Sequence, residues 1–437
     1  MLLEFRVRNF GSIRDEQCLS FVASADRELA ASHTGATGLK SPAQAVRSAV
    51  IYGPNASGKT TLLKALDYMR AVVAESATVI QPGQTYNVQP FRLDPARAAE
   101  PTAFELSFVH AGLRHQYAFE MTAQRIVSES LVVWHSAKPT QWFSRRFDGE
   151  RDVYEFSAYL KGARKLWQDS TRANALFLSM AAQLNADQMV PVYRAIVDCL
   201  VYLPAHASLN HELTTHLLAS AAGRLAVRDF LSTADISIAE VKTTAMRGVT
   251  DNFAFGADGV VHMGKEESEI LVPLFEHSTS AGKASFELHE ESEGTQRLYC
   301  LVAPVLDVLR DGRALVVDEL DSSLHTLLVR RLVAMFHDPA LNPRGAQLVF
   351  TTHDTSLLDQ GLFRRDQIWF TEKDADQATR LYPLSDFSPR KHEALERGYL
   401  AGRYGAVPVL RSLPAIALPP GPRGATRGGA QRSSTGA

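Results

Sequence analysis

The stretch SAVIYGPNASGKTTLLKAL, residues 48–66, constrains the chain more than any other. A run of apolar, partly β-branched residues stops at a loop of small ones, and a Lys-Thr-Thr triplet then opens a helical pattern. Gly53, Pro54, Asn55, Ala56, Ser57, Gly58, Lys59 and Thr60 fit G-x-x-x-x-G-K-[ST]. Glycines let the backbone curl so that successive N–H groups face an anion, and the helix that follows points its positive end at the same place. The plain alternative is a turn with a solvated lysine, and the strand before and helix after argue against it. The predicted ligand is a nucleoside triphosphate, with Lys59 reaching the β- and γ-phosphates, Thr60 ligating Mg²⁺ and Thr61 bonding the α-phosphate.

Such a loop serves kinases, GTPases and ATPases alike, and the second half of the chain narrows the choice. RALVVDELDSSLH reads as a buried strand ending in Asp318 and Glu319. A strand tip of this kind delivers one carboxylate to Mg²⁺ through water and the next to the attacking water as general base. QLVFTTHDTSLL reads as another buried strand, ending at His353, whose ring is expected to hydrogen-bond the γ-phosphate. Ligands of parallel α/β sheets gather at the carboxyl edge, so the three strand ends converge. In EESEGTQRLYCLV, Ser292 and Gly294 precede an apolar stripe of Leu298, Leu301, Val302, Val305, Leu306 and Leu309, at a helix start. That is either a second anion site or an ordinary Ser N-cap. One loop already surrounds its own phosphates, so the economical use of a second is to close on the triphosphate of a partner subunit.

LLEFRVRNF alternates in the strand manner and CLSFVAS looks like its neighbour, which predicts an antiparallel pair before the first βα unit. AFELSFVH and RHQYAFEMT read as a hairpin turning at Ala111 and Gly112, and residues 26–47 as a long loop. The expected division is an N-terminal lobe over 1–127, a mainly helical insertion or lid over 128–285, a C-terminal lobe over 286–411 and a disordered tail over 412–437. The lid reading rests on amphipathic runs such as RANALFLSMAAQL and ELTTHLLASAAGRLAVRDFL. Leu324, Leu327, Leu328, Arg331, Leu332, Met335 and Phe336 read as a second helical stripe.

A formal net charge of −2 gives no crude electrostatic case for a nucleic-acid partner, though it leaves one open. Arg145-Arg146, Arg330-Arg331 and Arg364-Arg365 read as solvated faces. Cys18, Cys199 and Cys300 have neither disulfide nor zinc spacing and read as core filler. Glu372, Asp374 and Asp376 read as a turn between DQIWF and TRLYPL rather than as a metal trio. No run of about 18 apolar residues occurs, so a cytoplasmic protein without a membrane partner is expected.

The order GPNASGKTT, ESEGTQRL, ALVVDELDSSLH, TTHD resembles the ABC-type ATPase heads of the SMC and RecF class, and most the compact bacterial AAA-type ATPases with such heads. RANALFLSMAAQL, RRDQIWFTEKD and YLAGRYGAVP are also similar to stretches of that compact group. The resemblance covers both flanking lobes and the middle only loosely. It implies an α/β P-loop fold with a mixed sheet, an N-terminal antiparallel part and a largely helical insertion, and an ATPase that uses ATP and Mg²⁺. Gly53 to Thr61 would be its Walker A motif, Asp318 and Glu319 the Walker B pair, Asp321 the D-loop residue and His353 the switch histidine. Ser292 and Gly294 would match the signature motif that acts across a homodimer, with Glu293 where ABC transporters place glycine and Thr295 after Gly294. No glutamine is assigned to the Q-loop: Gln89 in NVQPFRL is a weak candidate and reads rather as a strand-edge residue. The compact group implies a role in phage defence or DNA transactions, beside an effector such as a nuclease or toxin. A nucleotide-gated scaffold with little turnover is the alternative.

Overall fold

The computed structural model describes residues 1–205, 210–233, 238–255, 261–390 and 393–408. The tail expected over 412–437 lies outside the described residues. Strands β1 (Leu2–Arg8) and β2 (Gln17–Ser20) pair antiparallel, with Phe5 opposite Leu19. A small hairpin, β3 (Thr34–Ala36) and β4 (Gln44–Val46), and a short helix (Ala30–His33) occupy the stretch expected as loop, and β5 (Ser48–Tyr52) follows. A meander comes next: β6 (Thr102–His110), β7 (Leu113–Met121), β8 (Ile126–Trp134), β9 (Thr140–Phe147) and β10 (Asp152–Phe156). The β6–β7 turn has Ala111 and Gly112 at φ 49° and 74°, the paired positive angles that match the twist of a two-residue hairpin. Then come β11 (Leu200–Leu203), the long pair β12 (Ile238–Phe255) and β13 (Val261–Thr279), β14 (Gly282–Glu287), β15 (Ala314–Val317), β16 (Gln347–Thr351), β17 (Ile368–Lys373) and β18 (Thr379–Pro383).

These strands make two principal sheets. One is antiparallel, in the order β10-β9-β8-β7-β6-β1-β2; the other runs β11-β15-β16-β5-β17-β18, parallel except for β18. Helices cover both faces of the parallel sheet, so its central strands bury successive side chains, most of them apolar, instead of alternating. On β5, Ala49 and Ile51 join the core with the helix Lys59–Glu75 and the antiparallel sheet. Val50 and Tyr52 point the other way, into a second core with the helices Glu293–Asp311 and Thr326–His337. The phosphate-loop helix is thereby packed on one face of the sheet and the Ser292 helix on the other. Both start where strands of that sheet end or where its loops gather.

Residues 128–285 depart from the mainly helical lid expected. The helices Phe177–Gln183 and Ala221–Ser232 are there, but β8, β9 and β10 extend the N-terminal antiparallel sheet, β11 forms an edge of the parallel sheet, and β12 to β14 make a sheet of their own. The strand alternation was hidden by two charged residues that face inward. Glu129 and Arg145 are directly opposite on β8 and β9, and both side chains are fully buried. Arg145 is therefore not the solvated residue its Arg-Arg context implied: its guanidinium donates to Asp152 Oδ2 at 2.9 Å and to the Ala175 carbonyl at 2.6 Å. Arg364 is likewise buried, in a two-pronged contact with Asp366 at 2.9 and 2.7 Å. Leu327, assigned to the second stripe, is 67% exposed at the first turn of its helix, while Val329 and Val333 fill the core.

Candidate functional site

The loop after β5 is shaped by its neighbours as much as by any ligand. A Cβ on Gly53 would lie 2.4 Å from the Thr371 carbonyl and hydroxyl, and one on Gly58 only 2.1 Å from the Thr379 hydroxyl. Both threonines belong to the β17–β18 hairpin, so only glycine lets that hairpin and the loop close together. Ser57 Oγ is 2.6 Å from Thr371 Oγ1, which fixes the loop from its inner side, whereas Asn55 and Ala56 at its crown are exposed. Lys59 opens the helix with its side chain buried in the curl, and Nζ donates to the Gly53 and Pro54 carbonyls at 2.7 and 3.2 Å. Thr60 is half-buried beside it. Thr61 receives a 3.3 Å hydrogen bond from Ser12 Oγ, and Gly11 packs on its methyl group. The carbonyl of Gln89 accepts from Gly11 N at 2.7 Å, and its side chain is exposed on a loop.

Asp318 and Glu319 follow the C-terminal end of β15, beside β16, which in turn lies beside β5. Asp318 is buried and its Oδ1 accepts from Thr351 Oγ1 at 2.7 Å; the same hydroxyl accepts from Glu319 N at 2.7 Å. Thr351, at the end of β16, thus fixes both acids with a single group. It is a residue the sequence reading missed, although the Thr-Thr before His353 was the available signal. Glu319 has φ 53°, a left-handed conformation that costs an ordinary residue about 1–2 kcal/mol. Its carbonyl accepts from Arg297 Nη2 at 3.1 Å.

Asp321 Oδ2 accepts from His353 N at 3.2 Å, so the turn after β15 is tied to the end of β16. The His353 side chain is exposed on the site side, where partial burial and the Lys59 ammonium lower its pKa against the opposing pull of Asp321, Glu319 and Asp318. At neutral pH it is an uncharged hydrogen-bonding group. Burial lowers the Lys59 pKa to about 8, although Asp318, Glu319 and Asp321 oppose the shift. Lys59, Asp318, Glu319, Asp321 and His353 therefore share one electrostatic environment at the carboxyl ends of three neighbouring strands. Tyr202 on β11 adds, on the Asp318 side, a buried hydroxyl without a hydrogen-bond partner among the described residues, a second residue that sequence did not single out.

A polyanion favours the charged ammonium, so nucleotide affinity is flat below about pH 8 and falls above it, by up to about tenfold per pH unit. Titration calorimetry from pH 7 to 9.5 checks this. A Lys59→Arg variant, whose charge persists across that range, is expected to lose the pH dependence even where its affinity is lower.

Ser292 is exposed and caps the helix Glu293–Asp311, accepting from Thr295 N at 3.2 Å. Gly294 touches the turn that carries Asp321: a Cβ there would lie 2.9 Å from the Ser323 carbonyl. Among the described residues no hydrogen bond joins Ser292 or Gly294 to the phosphate loop of the same chain. Glu372 and Asp374 are engaged in structure. Glu372 accepts from Tyr382 OH at 3.0 Å; Asp374 accepts from Ala378 N at 2.9 Å and pairs with Arg14 at 3.1 Å. Among the described residues no three His, Cys, Asp or Glu side chains gather to hold a metal ion.

Residues 48–359 match a family model described as "AAA domain, putative AbiEii toxin, Type IV TA system". None of the curated proteins matches the chain. Among solved structures, one titled "Crystal structure of the SmcHead bound to the C-winged helix domain of ScpA" is similar at 10% identity and a TM-score of 0.36, over 87% of this chain and 97% of that one.

Proposed function

Since the chain belongs to the family described as "AAA domain, putative AbiEii toxin, Type IV TA system", we propose that it hydrolyses ATP, and that two copies close around two ATP molecules and reopen on hydrolysis. The observation that carries this reading is the meeting of Lys59, Asp318, Glu319 and His353 at adjacent strand ends, with one electrostatic environment among them. The loop amides and Lys59 bind the phosphates, Glu319 orients and deprotonates the attacking water, and His353 hydrogen-bonds the γ-phosphate. The Thr60 hydroxyl and the Asp318 carboxylate are hard oxygen donors that fit Mg²⁺, an ion that keeps several waters and takes the rest of its ligands from phosphate. Held by these residues, Mg²⁺ would supply neutralisation of the phosphate charge.

Closure between two copies is supported by the exposed start of the Ser292 helix, which is not spent on the phosphate loop of its own chain. A closed pair has two states of different shape, which is what a switch for an effector protein such as a nuclease or toxin, or for a nucleic-acid transaction, requires. Among the described residues no helix is long and apolar enough to cross a membrane. The test is multiple-turnover phosphate release from the purified chain with ATP and Mg²⁺, beside sedimentation with and without nucleotide. Turnover together with an ATP-dependent doubling of mass is expected. A monomer that binds ATP without turnover would favour the scaffold alternative.

A further inference from the structure

The helix Glu293–Asp311 carries an arginine that reaches across to the acid turn. Arg297 is buried at 9% exposure, five residues beyond the cap Ser292, and its Nη2 donates to the Glu319 carbonyl at 3.1 Å. Its Nε is buried without a hydrogen-bond partner among the described residues, so the polar network they make around the side chain is incomplete. The charges it faces are those of Asp321 and Glu319, on the turn itself.

Glu319 sits in a left-handed conformation, which persists only when surrounding groups determine it. Its peptide groups are held on both sides: the amide by Thr351 Oγ1 at 2.7 Å, the carbonyl by Ser322 N at 3.0 Å within the turn and by Arg297 Nη2 at 3.1 Å from outside it. Thr351 ends β16, which is paired on both sides, with β15 and β5. Arg297 belongs to the helix whose first turn packs Gly294 against the Ser323 carbonyl, so a shift of that helix start reaches the acid turn at two points.

We propose that Arg297 is a positioning residue that couples the Ser292 end of its helix to the orientation of Glu319, so that contact at Ser292 and Gly294 in one site adjusts the water-activating acid of the other site in the dimer. The inference rests on the ATPase reading above for the roles of Glu319 and Ser292. The apolar stripe of the same helix, Leu298, Leu301, Val302 and Val305, is independent of Arg297 and keeps the helix packed when the arginine is changed.

The experiment compares wild type, Arg297→Gln and Arg297→Lys by steady-state hydrolysis, thermal melting and amide hydrogen exchange over residues 319–324. For Arg297→Gln the expected result is a 10- to 100-fold lower kcat, the scale of a misplaced catalytic group, with KM for ATP within about twofold of wild type. The melting temperature is unchanged and exchange is faster in the 319–324 turn alone. Arg297→Lys, which keeps a donor on a long stem, recovers most of the rate and the protection. Wild-type exchange in the turn of Arg297→Gln overturns the proposal. So does a general loss of stability that Lys does not rescue. If the wild type shows no turnover, the ATPase reading fails separately, and the exchange measurement still decides whether Arg297 holds the turn.

Discussion

Replacing Glu319 with glutamine leaves ATP bound and slows its hydrolysis by at least about 100-fold, the loss expected when a general base is removed from a site that otherwise stays assembled. Assembly survives because the glutamate is fixed through its backbone. Thr351 holds its amide, Ser322 N and Arg297 hold its carbonyl, and the amide side chain is isosteric with the carboxylate. Without hydrolysis the closed state is not released, so the variant accumulates as an ATP-bound dimer. Single-turnover phosphate release and sedimentation in ATP and Mg²⁺ measure the two effects together. Undiminished turnover would remove Glu319 from the chemistry.

The largest expected loss of stability lies far from the phosphate loop, at Glu129. Its Oε1 accepts from Tyr117 OH at 2.8 Å and Leu178 N at 2.9 Å, and its Oε2 from Phe177 N at 2.6 Å, with Arg145 3.9 Å away. Phe177 and Leu178 open a helix, so Glu129 satisfies donors that otherwise have no partner. Burial pushes its carboxyl above the ordinary range, against Arg145 and these donors. Its ionisation is therefore not the source of stability; the donors it satisfies are. Glu129→Ala strands two amides, a phenol and part of the Arg145 charge in an enclosed space, an expected loss of about 3–5 kcal/mol. Glu129→Gln retains one acceptor oxygen and loses less. Denaturant midpoints on the whole chain check both, and a change below about 1 kcal/mol in Glu129→Ala would show that water or Asp152 replaces the carboxylate.

The sequence disclosed the parts of this fold whose physics is local. The loop from Gly53 to Thr61 is legible because curl, charge and helix start must be contiguous, and the strands ALVV and QLVF because burial on both faces leaves an unbroken apolar run. The hairpin at Ala111 and Gly112 is legible for the same reason, since its turn needs two consecutive positive φ angles. What was hidden depends on contacts between distant segments. Glu129 and Arg145 interrupt two strand patterns because each is paired across the sheet, and a residue's partner is not written beside it. The glycines at 53 and 58 suit a phosphate loop, yet the close approach of Thr371 and Thr379 was not visible without the fold. Thr351 and Arg297 are uncharged or ordinary in sequence and become informative only where β16 and the Ser292 helix meet the acid turn. Leu327 lay on the predicted stripe, but the helix turns it outward at its first turn.

A structure of Glu319→Gln with ATP and Mg²⁺ is expected to hold a single triphosphate whose γ-phosphate lies within hydrogen-bond distance of Lys59 and His353, with Thr60 and Asp318 facing the metal ion. The Ser292 end of a second copy closes over it. A nucleotide seated away from the residues 53–61 loop, or a bound triphosphate that His353 and the acid pair do not face, would contradict that arrangement.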